Sequence, residues 1–261
     1  MAEQNKVNYN EIAAEYDQRS QEERREGTHE ALRGLLSDEH PRRVLEAGCG
    51  TCHWLEGLGA INMPPTLIGV DLSFEMLKHT ENAEGLFLSQ GKAEAIPFMD
   101  ESIDLVYCVN ALHHFYDKKA FIREAFRILT SAGVLAIIGM DPRDIRNQWY
   151  IYDYFEGTFS RDLQRFPTWS QVELWLQNTG FTDLHRTDVE FIHDPKTNRT
   201  VLSDPFLRKN ACSQLALLSE SEYQRGLDKI RRNIEKMGKN NPEVYPNDIV
   251  LSMQVARKPT D

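Results

Sequence analysis

The sequence of 261 residues has few cysteines, no long apolar run and no excess of basic residues. Its four cysteines, Cys49, Cys52, Cys108 and Cys212, are too few and too scattered for a disulfide framework. No stretch reaches the roughly 18 apolar residues of a membrane-spanning helix, and the polar N-terminal stretch has no apolar signal-peptide segment. These absences predict a cytoplasmic protein without a membrane partner.

Basic residues are outnumbered, with 30 Lys and Arg against 40 Asp and Glu, and the formal net charge is −10. Because an acidic surface repels a polyanion at long range, no nucleic-acid partner is expected. The hydrophobic content of 41% is adequate for one α/β domain with additional cap segments. A small-molecule substrate fits this composition better than a nucleic acid does.

The most informative stretch is VLEAGCG, residues 44–50, which LIGVD follows at residues 67–71. The first stretch is typical of a buried strand that enters a tight turn, where Gly48 and Gly50 allow positive φ or close approach of a ligand. The second strand ends at Asp71, about twenty residues later, as a ribose-binding acid does in a Rossmann-type unit. His53 occupies the third glycine position of a dinucleotide motif, which disfavours an NAD-dependent dehydrogenase.

Cys49 and Cys52 form a C-x-x-C pattern inside this turn. Such spacing occurs in redox and metal-binding pairs, but no second pair completes a site. The favoured interpretation is that these small residues line a cofactor loop, and no metal is predicted.

Strand and helix patterns alternate along most of the chain. Strands are predicted at 44–48, 66–71, 85–89, 103–111, 133–139, 181–191 and 248–256, and helices at 9–18, 30–36, 52–58, 74–80, 118–129 and 168–178. An aromatic segment interrupts this alternation at residues 143–167. It is either the wall of a pocket for an apolar or aromatic substrate or the small core of a cap subdomain.

Four motifs occur in the order and spacing of a known family: VLEAGCGT, LIGVDLSFEML, GKAEAIPFMDESIDLVYCVNALHHF and FIREAFRILTSAGVLAII. Over residues 40–140 the chain resembles the class I S-adenosylmethionine (SAM)-dependent methyltransferases, a group that includes enzymes of ubiquinone and menaquinone biosynthesis. The resemblance implies a Rossmann-like three-layer α/β sandwich with a mostly parallel seven-stranded sheet, an antiparallel last strand and a helical cap.

The resemblance also suggests how the chain is divided. We expect N-terminal lid helices at 1–38, the SAM-binding core at 39–141, an aromatic cap segment at 142–167, a continuation of the core at 168–194, a helical cap insertion at 195–247 and the final strand and tail at 248–261. A monomer or a homodimer is expected.

By resemblance, SAM is the cofactor, and its methionine part lies at Glu46, Gly48, Cys49 and Gly50. Asp71 is expected to accept both ribose hydroxyls, because one carboxylate offers two oxygens to a diol. Further cofactor contacts are expected from Leu72, Met76, Ala93 and Glu94 at the adenine, from Asn110, and from Tyr9, Tyr16 and Arg19 of a leader that folds over SAM. Lys92 stands where similar enzymes usually have an acid, so adenine recognition there falls to Glu94 or to backbone groups.

His113 and His114 follow the fourth strand, at the edge where ligands bind in open α/β sheets. Transfer of a methyl group to a hydroxyl or amine needs a base, and histidine has a suitable pKa. By resemblance, one of the two is the base and Asp141 the acid that orients it. The alternative is that His114 holds the loop by hydrogen bonds to the backbone. For the leader, the alternative is a helix that packs on the core through its tyrosines.

The sequence therefore predicts a SAM-dependent methyltransferase with a small-molecule acceptor, whose acceptor atom (O, N, S or C) is open. The alternatives are a non-catalytic SAM-binding partner or assembly protein, a nucleic-acid methyltransferase and an NAD-dependent oxidoreductase.

Overall fold

The computed structural model describes residues 7–10, 26–59, 65–80, 85–237 and 243–260. The chain divides into two compact units. The larger unit comprises Arg25–Met140, Pro167–Glu190 and Leu251–Asp261, and the smaller unit comprises Met1–Arg24, Asp141–Phe166 and Phe191–Val250.

The larger unit is built on one sheet. Its strands are β1 (Arg43–Ala47), β2 (Thr66–Asp71), β3 (Leu86–Gln90), β4 (Ile103–Val109), β5 (Leu129–Gly139), β7 (Thr182–His193) and β10 (Asn247–Arg257). The order is β3-β2-β1-β4-β5-β10, and β7 pairs with the other edge of β10. The first five strands are parallel, and β10 is antiparallel to β5. This arrangement confirms the predicted Rossmann-like sheet, to which the two-residue strand β6 (Gln148–Trp149) adds an eighth member at the start of β10.

The central strands are apolar because helices cover both faces of the sheet. On one face, Leu45 and Val106 pack with side chains of α4 (Lys118–Ile128) and α7 (Trp169–Thr179). On the other face, β2 lies against α2 (His53–Leu58), where a Cβ on Gly69 would lie 3.1 Å from Cδ1 of Leu55.

The helices of the larger unit begin with side-chain caps where the sequence supplies them. Ser73 accepts a hydrogen bond from the backbone N–H of Met76 at the start of α3 (Phe74–Lys78), and Asp117 caps α4. Thr168 forms a capping box with Gln171 at α7, and Gly180 ends this helix in the left-handed conformation. The helix α1 (Glu26–Glu39) contacts α2 and buries Leu32. It belongs to the larger unit, and the lid predicted at 1–38 stays a prediction.

The smaller unit has a helical core of its own. Its helices are α5 (Tyr150–Tyr154), α6 (Thr158–Arg165), α8 (Ser213–Ala216) and α9 (Glu220–Met237). The strands β8 (Lys196–Thr197) and β9 (Val244–Tyr245), which are far apart in the sequence, pair antiparallel. Tyr150, Phe155 and Tyr245 are fully buried in its apolar cluster. Most of the aromatic segment thus forms the core of this unit, although Phe159 is 40% exposed. Within the described ranges, no helix has the length and apolar character needed to cross a bilayer.

Candidate functional site

Two acidic side chains lie at the carboxyl ends of neighbouring parallel strands. Glu46 is in β1 and Asp71 ends β2, and the register pairs Ala47 with Val70, so both acids lie at the same edge of the sheet. This edge is where ligands bind in open α/β sheets. Asp71 tops the strand as the sequence predicts.

Glu46 is only 1% exposed. Its Oε2 accepts a hydrogen bond of 3.1 Å from the hydroxyl of Tyr107, which is in β4. Its Oε1 has no donor among the residues that the structure describes. Burial raises the pKa of the Glu46 carboxyl well above its usual value, because the charged form loses its hydration. In its ionised form, which a neighbouring cation would favour, Glu46 is a buried acceptor whose Oε1 lacks a partner among the described residues.

The carboxylate of Asp71 holds the glycine turn in place. Its Oδ2 accepts from the backbone N–H of Gly50 at 2.8 Å, and its Oδ1 accepts from that of Ser73, also at 2.8 Å. Burial raises the pKa of Asp71, while these backbone donors act in the opposite direction. Each carboxylate oxygen offers about two lone pairs, so each can accept a further hydrogen bond.

The two glycines of the turn are needed for different reasons. Both have positive φ, +71° at Gly48 and +55° at Gly50. A Cβ on Gly48 would lie 2.8 Å from Cβ of Ala111 and 3.1 Å from the ring of Phe115, whereas a Cβ on Gly50 would meet no atom within 4 Å. Gly48 therefore permits close packing, and Gly50 leaves open space beside the backbone where a ligand can approach.

Cys49 and Cys52 contact each other within the turn, with 3.5 Å between their sulfur atoms. Both are free thiols and both are buried. The hydrogen bond with Cys52, together with burial, raises the pKa of the Cys49 thiol. Cys52 has a left-handed conformation immediately before α2. Both cysteine side chains thus lie on the buried side of the glycine turn.

The residues predicted at the adenine have different surroundings. Leu72 is 64% exposed beside Asp71, whereas Met76 and Ala93 are buried. Glu94 accepts hydrogen bonds from the backbone N–H groups of Tyr116 and Asp117, at 2.5 and 3.1 Å. Glu94 thus fixes the loop that leads into α4, a role that sequence reasoning did not assign to it.

The predicted catalytic loop begins directly after β4. Asn110 has φ +49°, and its N–H donates to the carbonyl of Ile138 at 2.8 Å. The following residues, Leu112–His114, form a single 3₁₀ turn. The rings of His113 and His114 are half-buried, with centroids 3.9 Å apart and planes at 46°. The loop that carries both histidines therefore begins where β4 ends, and β4 pairs with β1, the strand of Glu46. The catalytic role of the two imidazoles stays a prediction.

The remaining predicted site residues belong to the smaller unit or lie outside the described residues. Asp141 accepts from the backbone N–H of Arg143 and pairs with its guanidinium at 3.0 Å. Its role as an orienting acid stays a prediction. Tyr9 and Asn10 have a helical backbone conformation, and Oδ1 of Asn8 accepts from the N–H of Asn10 at 3.3 Å. Tyr16 and Arg19 lie outside the described residues, so their roles also stay predictions.

Tyr107 is a site residue that sequence reasoning missed. It is fully buried in the central strand β4, and its hydroxyl donates to Glu46. The signal was present in the stretch IDLVYCV, because a tyrosine in a buried strand needs a partner for its hydroxyl. The sequence did not show that this partner is Glu46, 61 positions earlier.

Comparisons with known proteins agree with this geometry. A family model described as a methyltransferase domain matches residues 45–137. The uncharacterized methyltransferase YcgJ of Bacillus subtilis is 33% identical over 167 residues, which cover 53% of this chain and 65% of that protein, just under two thirds of its length. Its crystal structure has a TM-score of 0.56 to this chain at 18% identity, over 89% of this chain and all of that one, which shows the shared fold.

Two further relatives align over longer parts of their own sequences. An uncharacterized methyltransferase of Schizosaccharomyces pombe is 30% identical over 177 residues, which cover 63% of this chain and 67% of that protein. Demethylmenaquinone methyltransferase of Lactiplantibacillus plantarum is 28% identical over 177 residues, which cover 58% of this chain and 73% of that protein. The glycine turn, the two strand-end acids and these relatives lead to one conclusion: the chain belongs to the class I SAM-dependent methyltransferases and uses SAM as its cofactor.

Proposed function

We propose that this methyltransferase transfers the methyl group of SAM to a small-molecule acceptor, with the cofactor at the sheet edge formed by Glu46, Gly48, Gly50 and Asp71. The observation that supports this site best is the buried Oε1 of Glu46, which has no donor among the described residues. An ammonium group such as that of the methionine part of SAM would supply the missing donors. The residues present therefore fit the cofactor.

Each residue of this site has a distinct task. Asp71 binds the ribose hydroxyls through the acceptor capacity that Gly50 and Ser73 leave unused. Gly50 leaves the backbone accessible, and Tyr107 keeps the carboxyl of Glu46 oriented. When bound, SAM supplies a methyl group on a positively charged sulfur, which a nucleophile can attack directly. The protein contributes position and exclusion of water.

A small-molecule acceptor is supported by the net charge of −10, which opposes the approach of nucleic acid. The Lactiplantibacillus plantarum relative is named for the methylation of demethylmenaquinone, a small molecule. For an acceptor that loses a proton, His113 or His114 would remove it, a role supported by their position in the loop that directly follows β4, beside the strand of Glu46. A hydroxyl or amine acceptor is therefore our first choice.

Transfer of an isotope-labelled methyl group tests this function. The protein is incubated with methyl-labelled SAM and, separately, with a metabolite extract, purified RNA and purified DNA. We expect label in a molecule of the metabolite extract, and no transfer by an Asp71→Ala variant. Label found only in RNA or DNA would refute the proposed class of acceptor.

A second comparison tests the histidines. We expect His113→Ala or His114→Ala to lower the transfer rate by roughly 100-fold or more, which is the usual contribution of a general base, while the Kd for SAM stays unchanged. Unchanged transfer in both variants would show that the imidazoles are structural.

A further inference from the structure

Buried N–H donors without acceptors are concentrated in one stretch of the smaller unit. Among the described residues, these donors are Nε1 of Trp149, Nη1 of Arg161, and both Nε and Nη1 of Arg165. The side chain of Arg165 is only 7% exposed. Proteins rarely leave a buried donor unpaired, because it loses its hydrogen bonds to water without replacement. A bound molecule could therefore supply the hydrogen-bond acceptors that these N–H groups lack.

The donors of Trp149 and Arg165 are linked through Tyr152 and Asp162. The indole of Trp149 packs edge-on against the ring of Tyr152, with centroids 5.5 Å apart. The hydroxyl of Tyr152 donates to Oδ2 of Asp162 at 2.8 Å, and Nη2 of Arg165 donates to Oδ1 of the same carboxylate at 2.5 Å. The ring of Phe159 extends this aromatic group, 5.1 Å from that of Tyr152.

The charges in this cluster are balanced, although its hydrogen bonds are not. Asp162 pairs with Arg165, and Glu222 pairs with Arg161 at 3.1 Å. Asp162 also accepts from Nε2 of Gln214 at 2.6 Å, so its oxygens are already well supplied with donors. A carboxylate ligand would therefore bring an uncompensated negative charge into a buried region, which is costly. A neutral carbonyl oxygen supplies acceptors without that cost.

We propose that the smaller unit binds a neutral carbonyl compound with an aromatic body, whose oxygen accepts from Trp149 or Arg165 and whose ring packs with Tyr152 and Phe159. The binding step itself involves neither SAM nor methyl transfer, so it can be tested independently.

The indole N–H signals in a ¹H–¹⁵N NMR spectrum provide a direct test. The chain has four tryptophans, and the signal of Trp149 is identified by its loss in a Trp149→Phe variant. Three probes with one aromatic ring are compared. Acetophenone carries a neutral carbonyl group, ethylbenzene is its apolar analogue, and benzoate is an anion. We expect acetophenone to shift the Trp149 signal, with ethylbenzene and benzoate giving clearly smaller shifts and the Trp54, Trp169 and Trp175 signals unmoved.

Variants separate binding from folding. Trp149→Phe keeps a ring and removes the donor, so we expect acetophenone to bind roughly two- to tenfold more weakly by ligand-observed NMR, the effect of one hydrogen bond. Trp175→Phe, in the larger unit, is the matched control and should leave this affinity unchanged. Arg165→Lys should also weaken the binding of acetophenone. Unchanged indole signals of Trp54, Trp169 and Trp175 would show that this variant is folded.

Three results would overturn the proposal. Equal shifts with ethylbenzene would indicate an apolar pocket without carbonyl recognition. A stronger response to benzoate would indicate an anion site, and no response to any probe would indicate that the donors have only a structural role. Failure of the wild-type protein to bind SAM would refute the proposed cofactor site, but it would not affect the proposal for the smaller unit, which the NMR titration tests separately.

Discussion

Replacement of Asp71 by Asn changes one atom of the side chain and should weaken SAM binding strongly. In the wild-type protein, the two carboxylate oxygens accept from the backbone N–H groups of Gly50 and Ser73, each at 2.8 Å, and retain capacity for two ribose hydroxyls. An amide group keeps only one acceptor oxygen. Its NH₂ group faces the backbone N–H of either Gly50 or Ser73, so that two hydrogen-bond donors point at each other. The ribose hydroxyl on that side also loses its acceptor.

The expected magnitude follows from these contacts. A hydrogen bond to a charged group contributes about 1.5–3 kcal/mol, so the loss of one such bond to ribose should raise the Kd for SAM by roughly 10- to 100-fold. Asp71→Ala removes both ribose bonds and should raise the Kd further. It also leaves the N–H groups of Gly50 and Ser73 without their acceptor, at a cost to stability of about 1–3 kcal/mol.

Isothermal titration calorimetry with SAM measures the effect, and thermal unfolding reports whether each variant is folded. Asp228→Asn is the matched control, because this exposed acid of α9 pairs only with Arg231, at 2.9 Å, among the contacts that the structure describes. Its Kd for SAM should equal that of the wild type. A folded Asp71→Asn variant with the wild-type Kd, or an equal loss in Asp228→Asn, would refute the ribose role of Asp71.

Three further changes test other parts of the structure. Burial raises the pKa of Glu46 well above 4.5, so the folded protein keeps a proton that the unfolded chain releases as the pH rises. The wild type should therefore lose stability relative to Glu46→Gln as the pH rises above 4.5, and a difference in Tm that does not change with pH would contradict this. Gly48→Ala should destabilise by about 1–3 kcal/mol more than Gly50→Ala in denaturant unfolding, because only the former places its Cβ against Ala111 and Phe115; equal losses would contradict the steric argument. Asp162→Ala leaves the Arg165 guanidinium buried without its counterion and should cost about 3–5 kcal/mol in the same assay, whereas a loss below about 1 kcal/mol would show that the pair is solvated.

The sequence predicted the larger unit well because its signals are local. The apolar runs at β1, β2 and β4 bury both faces, and each ends at a turn residue that the pattern identifies. Gly48 and Gly50 indeed have positive φ, and Asp71 ends its strand as expected. Strand ends in a parallel sheet meet at one edge, so the location of the site followed from the order of motifs.

The partners of the site residues could not be predicted, since they depend on contacts between distant positions. Glu94 was expected at the adenine, and the structure shows its carboxylate bound to the backbone of the loop before α4. The bond from Tyr107 to Glu46 and the pairing of Asp141 with Arg143 likewise require the three-dimensional fold. The smaller unit was hardest to predict, because buried polar groups such as Asp162 interrupt its apolar periodicity.

The position of β10 has a consequence for synthesis on the ribosome. Among the strands that the structure describes, β10 comes last in the sequence, and it pairs with β5 on one edge and β7 on the other. Residues 194–246 separate the end of β7 from the start of β10, and at about 5–20 residues per second their translation takes roughly 3–10 seconds. During that interval, the edge of β5 that later pairs with β10 is unpaired, and an unpaired strand edge can bind other chains. Slow translation of this stretch should therefore increase aggregation of the nascent protein, even though both edges of β5 are paired in the finished sheet.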